Sequence, residues 1–180
     1  MNGPVTWLVL AYRIPSEPSR LRAGIWRRLK ALGAIYVQNS VAALPADPAA
    51  ERALRTLRAE ITQMDGGSAQ LLTADALAGG ADLVSAYNAA RDDEYEEFAD
   101  RCRDFLAEIE RETAACHFTY GELEENDEDL KKLRGWFEKV AARDRLGAAG
   151  REAAEKGLED CGRALDGFAD AVYTADTDAP

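Results

Sequence analysis

The sequence is poor in the residues that build metal centres, disulfide frames and membrane spans. Its 180 residues include one histidine and three cysteines. His117 has no second imidazole to join it. Cys102, Cys116 and Cys161 lie far from the C-x2–4-C spacing of a zinc ligand pair, so no metal site is expected. An odd number of widely spaced cysteines fits reduced thiols in a cytoplasm better than a disulfide frame. No apolar run approaches the ~18 residues that a membrane span needs. Met1-Asn2-Gly3-Pro4 lacks the basic region and small-residue cleavage site of a secretory leader, so a cytoplasmic location with no membrane partner is expected. There is no Ser-His-Asp set, Gly-rich phosphate loop or dinucleotide fingerprint, so neither an enzyme nor a cofactor is expected.

What is present is charge, unevenly spread. The net charge is −11. Residues 1–58 hold nine basic side chains against three acidic ones, a surplus of +6, and residues 59–180 hold 13 against 30, a deficit of −17. A basic part apart from an acidic one suits an anionic partner for the first and solubility for the second. The plainer alternative is that each part solvates its own surface, or that the two neutralise each other within a dimer.

The apolar pattern divides the chain in the same way. Thr6 to Tyr12 is a short β-prone run, and Arg13-Ile14-Pro15-Ser16-Glu17-Pro18 stops it. Ser16 is a plausible N-cap for a helix whose stripe is Leu21, Ile25, Leu29 and Leu32, closed by Gly33. Ala34–Gln38 and Ser40–Leu44 read as two strands, or one bent strand, around Asn39. Asp47 before Pro48 caps a second helix that ends near Asp65-Gly66-Gly67, and Ser68–Ala74 is a last strand. The order βαββαβ is the ferredoxin-like pattern. After Gly79-Gly80 a stripe through Val84, Tyr87, Arg91, Phe98, Cys102, Phe105 and Ile109 predicts one long helix over 81–115, suited to a helical hairpin or a dimer seam. Two more helices follow, over 122–144 and around Leu158 to Val172, with a frayed tail from Thr174. The expected fold is α+β, with a ferredoxin-like domain over 1–78 followed by an antiparallel helical bundle over 79–180.

Smaller features have bland readings. Cys116-His117 is expected to be partly buried at a helix end, and Cys102 and Cys161 to be small core residues. Acidic runs such as Asp92 to Glu97 read as solvated helix faces. Arg91, on the apolar stripe beside Tyr87 and Tyr95, needs a carboxylate partner.

Tyr12-Arg13-Ile14-Pro15, Glu17-Pro18-Ser19-Arg20, Trp26-Arg27-Arg28-Leu29 and Leu32-Gly33-Ala34-Ile35-Tyr36-Val37-Gln38 together resemble the N-terminal domain of ChrB, the chromate-resistance regulatory protein. The similarity continues through Asn88 to Tyr95 and Phe118-Thr119-Tyr120. Val37-Gln38-Asn39-Ser40-Val41 is more distantly similar to a segment of PaaX-type repressors and of the small CRISPR adaptation subunit, which share a ferredoxin-like fold and dimerise through it. The nuclease-like relatives carry a metal-binding aspartate at the end of the first strand, where Ala11, Tyr12 and Arg13 stand here. The resemblance implies a regulatory or accessory module of the chromate or oxyanion response, without the Cys- and Arg-containing C-terminal domain of full-length ChrB.

The candidate binding residues are Arg13, Ser16, Ser19, Arg20, Arg22, Arg27 and Arg28. A helix N-terminus offers backbone N–H groups and partial positive charge, and arginine adds bidentate donors, which suits phosphate, sulfate or chromate. Spread over a homodimer, the same arginines would instead track the phosphate backbone of DNA, with Trp26 or Tyr12 as a stacking surface. The alternatives are a structural module dimerising through its long helix and a degenerate nuclease-fold hydrolase.

Overall fold

The computed structural model describes residues 5–15 and 19–177. The fold is α+β: a four-stranded antiparallel sheet with five helices. The chain divides into two compact units, Met1–Ala90 with Arg143–Leu146, and Arg91–Ala142 with Gly147–Pro180. That division departs from the expected break after residue 78. The physical reason is that one helix, α3 (Gly80–Ala114), supplies apolar side chains to both cores. A continuous stripe does not reveal which core each residue joins.

The first unit contains β1 (Thr6–Arg13), α1 (Ser19–Ala31), β2 (Ile35–Gln38), β3 (Val41–Pro45), α2 (Pro48–Gln63) and β4 (Ser68–Asp75). The strands lie in the order β2-β3-β1-β4. Leu8 stands opposite Leu44 and Leu10 opposite Ala42, so these four share one face. They form a core with Ile25 and Leu29 of α1 and Leu54, Leu57 and Ile61 of α2. Each fully buried leucine contributes about 2 kcal/mol of transfer free energy. The opposite face is buried too. Trp7 packs edge-on against Tyr87 of α3, with ring centres 5.9 Å apart. Burial on both faces explains why β3 (Val-Ala-Ala-Leu-Pro) does not alternate with polar residues.

Three local expectations hold. Gly33, at φ +80, ends α1, where its N–H donates to Lys30 O and that of Ala34 to Leu29 O, the paired bonds of a Schellman cap. Residues 34–45 form two strands, joined by a tight turn with Ser40 at φ +62. Asp47 caps α2, its Oδ1 accepting from the N–H groups of Ala49 (2.8 Å) and Ala50 (2.9 Å). Its Oδ2 accepts from Arg145 Nε, and Arg145 Nη1 donates to Leu32 O at 2.9 Å. One guanidinium thus ties the start of α2 to the end of α1. The cap expected at Ser16 lies outside the described residues.

The second unit is a three-helix bundle of α3 from Arg91 onward, α4 (Tyr120–Arg143) and α5 (Arg151–Thr177). Phe98, Cys102, Phe105 and Ile109 pack with Leu130, Leu133 and Val140 and with Cys161, Leu165, Phe168 and Val172. Phe98 lies 5.5 Å from the rings of both Trp136 and Phe137. The stripe, read as suited to a helical hairpin or a dimer seam, is buried inside the chain's own bundle, as the first of these requires. The polar segment from Thr174 is not frayed as far as Thr177, since α5 runs to that residue. Among the described residues no helix is long and apolar enough to cross a membrane.

Candidate anion- and nucleic-acid-binding face

α1 sorts the candidate residues by which way its turns point them. Ile25 and Leu29, one turn apart, hold the helix to the core, and Leu21 is half-buried one turn earlier. Arg20 and Arg27, two turns apart, fall on the opposite side and are exposed. Arg22, Trp26 and Lys30 form a second exposed row at i+4, and Lys30 Nζ lies 5.5 Å from the centre of the Trp26 ring. Trp26 is 49% exposed, which is unusual for a residue of its size. The first turn, beginning at Ser19, has no acidic side chain to neutralise the positive end of the helix dipole.

Arg28 differs from its neighbours. It points sideways to α2 and forms a bidentate ion pair with Glu60, Nη1 to Oε2 and Nη2 to Oε1, the latter at 3.0 Å. The Arg28 hydrogen bonds hold the Glu60 carboxyl below its ordinary pKa. Arg28 is thus already neutralised. Among the described residues no carboxylate lies within ion-pair distance of Arg13, Arg20, Arg22 or Arg27. Arg13 stands apart at the end of β1, in register with Ser68 of β4. Among the described residues the candidates therefore resolve into three arginines without an ion-pair partner and Ser19 on one helix, one such arginine on a strand and the paired Arg28, while Ser16 lies outside them.

Sequence reasoning missed a second basic patch. Arg55 and Arg58 of α2 line a cleft of about 480 Å³ with Gln70, Leu72 and Thr73 of β4. Arg55 is held by Glu51 across one turn. The signal that was available is the i,i+3 repeat of Arg52, Arg55 and Arg58.

The other chemistry-bearing side chains fall into structural places. Cys116 and His117 are exposed rather than partly buried, and His117 Nδ1 lies 2.9 Å from Glu112 Oε2. Cys116 is the left-handed residue that closes α3, with its N–H donating to Thr113 O and that of His117 to Glu112 O. Cys102 and Cys161 are buried in the bundle, and the Cys161 thiol donates to Cys102 O at 3.6 Å. Arg91 is buried with Glu94 at 3.2 Å, the carboxylate partner its position required. Among the described residues no three of His, Cys, Asp and Glu are grouped to hold a metal ion.

Comparison with known proteins adds the family. Residues 22–179 match the family described as protein ChrB, N-terminal. The chain belongs to that family, which ties it in general terms to chromate resistance. No curated protein and no solved structure matches the chain. The match takes in Arg22, Arg27 and Arg28, while Arg13, Ser16, Ser19 and Arg20 precede it.

Proposed function

We propose that this chain acts by binding rather than catalysis, gripping the phosphate backbone of duplex DNA with Arg20, Arg22 and Arg27 of α1. The observation that carries the reading is that these three guanidinium groups are exposed and unpaired among the described residues, while Arg28 beside them is not. Their spacing favours a backbone over a single oxyanion. Two turns of helix separate Arg20 from Arg27 by about 10 Å along the axis, too far to converge on one tetrahedral anion. Repeated phosphates suit arginines so spaced, Arg20 and Arg27 on one row and Arg22 on the next, where the exposed Trp26 adds a stacking surface. A second reading, a single chromate or sulfate at the first turn of α1, is favoured by the absence of acidic residues there.

The finer architectural reading belongs to the same proposal: the first unit is a ferredoxin-like domain, dimerising and placing two α1 helices on one duplex. It is supported by the βαββαβ element order and by β1 lying between β3 and β4 in an antiparallel sheet. What is unlike a simple version of that fold is the cover that Tyr87 of α3 provides over the Trp7 face of the sheet.

Titration of the wild type and an Arg20→Ala/Arg22→Ala/Arg27→Ala variant with duplex DNA, chromate and sulfate tests the proposal. The expected result is DNA affinity reduced by a hundredfold or more, with sulfate and chromate binding weak in both proteins. Equal DNA affinity in the two proteins would overturn it, and tight chromate binding lost in the variant would favour the second reading.

A further inference from the structure

Two of the three cysteines meet inside the bundle unit. Cys102 stands in the second half of α3 and Cys161 in the first half of α5. They are 2% and 0% exposed. The Cys161 thiol donates to Cys102 O at 3.6 Å and lies within hydrogen-bond reach of the Cys102 sulfur as well. Gly157, one turn before Cys161, lets α5 come this close. A Cβ at Gly157 would lie 3.6 Å from Cys102 Cβ and 3.7 Å from its Sγ. The Cys102 side chain therefore packs against the step that Gly157 and Cys161 form on α5.

A buried cysteine by itself is only a small apolar residue. What sets this pair apart is mutual contact between two helices by residues 59 positions apart in the chain. A disulfide needs Cβ atoms about 4 Å apart and side chains turned toward each other, and packing already supplies such an approach here. The contact also divides the work between the two sulfurs. The hydrogen bond from Cys161 favours the thiolate at Cys102 and lowers its pKa against the effect of burial. The same hydrogen bond, with burial, pushes the Cys161 thiol well up and keeps its proton in place.

We propose that Cys102 and Cys161 are an oxidation site, where a small two-electron oxidant of the peroxide class makes an intramolecular disulfide that fastens α3 to α5. The Cys102 thiolate attacks the O–O bond of the peroxide and takes one oxygen as a sulfenic acid, and the other oxygen leaves as hydroxide and takes up the Cys102 proton. The Cys161 sulfur then attacks the sulfenic sulfur. An S–S bond forms, the S–O bond breaks, and the expelled hydroxide leaves as water with the Cys161 proton. Two thiols and one hydrogen peroxide thus give one disulfide and two waters. The site lies in the bundle unit and involves none of the arginines of α1, so it stands or falls independently of DNA binding.

The test uses the whole chain carrying Cys116→Ser, which removes the exposed thiol and leaves the buried pair alone. Hydrogen peroxide is added in native buffer, the protein is denatured and treated with N-ethylmaleimide, and intact and peptide masses are read. The expected product is a single chain lighter by two hydrogens, with no maleimide added and the Cys102 and Cys161 peptides linked. Its urea midpoint should rise, because the bond restricts the unfolded chain, and dithiothreitol should return it to the reduced value. The proposal is overturned if both thiols are recovered as maleimide adducts at a peroxide dose that oxidises Cys116 of the wild type. It is also overturned if Cys102 goes on to a sulfinic acid with Cys161 still free, or if the bond joins two chains. A urea midpoint lowered by the bond would contradict it too, since the native packing would then not fit the linked pair.

Discussion

Arg27 and Arg28 are neighbours in the chain and differ in availability. The first points to solvent, and the second is clamped by Glu60. Nothing in the local sequence distinguishes them, because Glu60 lies 32 residues away on another helix. The Arg28 and Glu60 side chains are 45% and 43% exposed, so Arg28→Ala should cost under about 1 kcal/mol of stability. It should also leave DNA affinity within about twofold of wild type, whereas Arg27→Ala should weaken it by roughly tenfold. A urea melt and one binding isotherm for each variant check both expectations. Asp47 offers a pH test. Burial raises the pKa of its carboxyl, but the Ala50 N–H, the Arg145 guanidinium and the Ala49 N–H outweigh that and hold it below its ordinary 3.8. A carboxylate depressed in the folded state stabilises above its unfolded pKa, and that contribution is lost as pH falls through the lower folded value. Asp47→Asn keeps an acceptor oxygen for the cap but not the charge. Its urea midpoint should therefore change less than that of the wild type as pH drops from about 5 to below 3.8.

At the scale of elements, most of the fold was legible. The strands, the caps at Asp47 and Gly33, and the long helix fall where the apolar spacing puts them. What was not legible is tertiary. The stripe through Tyr87 and Phe98 serves two cores, and spacing alone records only that one side of α3 is buried. Spacing also left a helical hairpin and a dimer seam both open for Phe98 and Phe105, which lie inside the bundle. Of the site, the arginines themselves were legible, whereas the pairing of Arg28 depends on a contact between two helices. Helix ends and glycines make specific tests. Cys116 holds φ +54 at the end of α3, where glycine has no steric penalty, so Cys116→Gly should stabilise by up to about 1 kcal/mol. In the helix interiors, a Cβ added at Gly135 or Gly167 would meet nothing within 4 Å, so alanine at either should stabilise by about 0.5–1 kcal/mol. At Gly150 the same Cβ would lie 3.0 Å from Tyr95 Cβ and 3.2 Å from Asp92 Oδ1, and alanine should destabilise. Thermal melts of these variants separate the gains from the loss.

For the whole molecule the governing quantity is the segregation of charge. A protein of net charge −11 would repel a polyanion if its charges were mixed evenly. Here the +6 portion contributes the exposed arginines of α1, and the −17 portion contributes the carboxylates of the bundle.

The most direct measurement is the salt dependence of duplex DNA affinity for the wild type and for Arg20→Ala/Arg22→Ala/Arg27→Ala. Each phosphate contact contributes about 0.9 to the slope of log K against log salt. Loss of three contacts should make that slope shallower by about 2 to 3 while the circular dichroism spectrum and urea midpoint stay unchanged. Parallel lines for the two proteins would contradict the account.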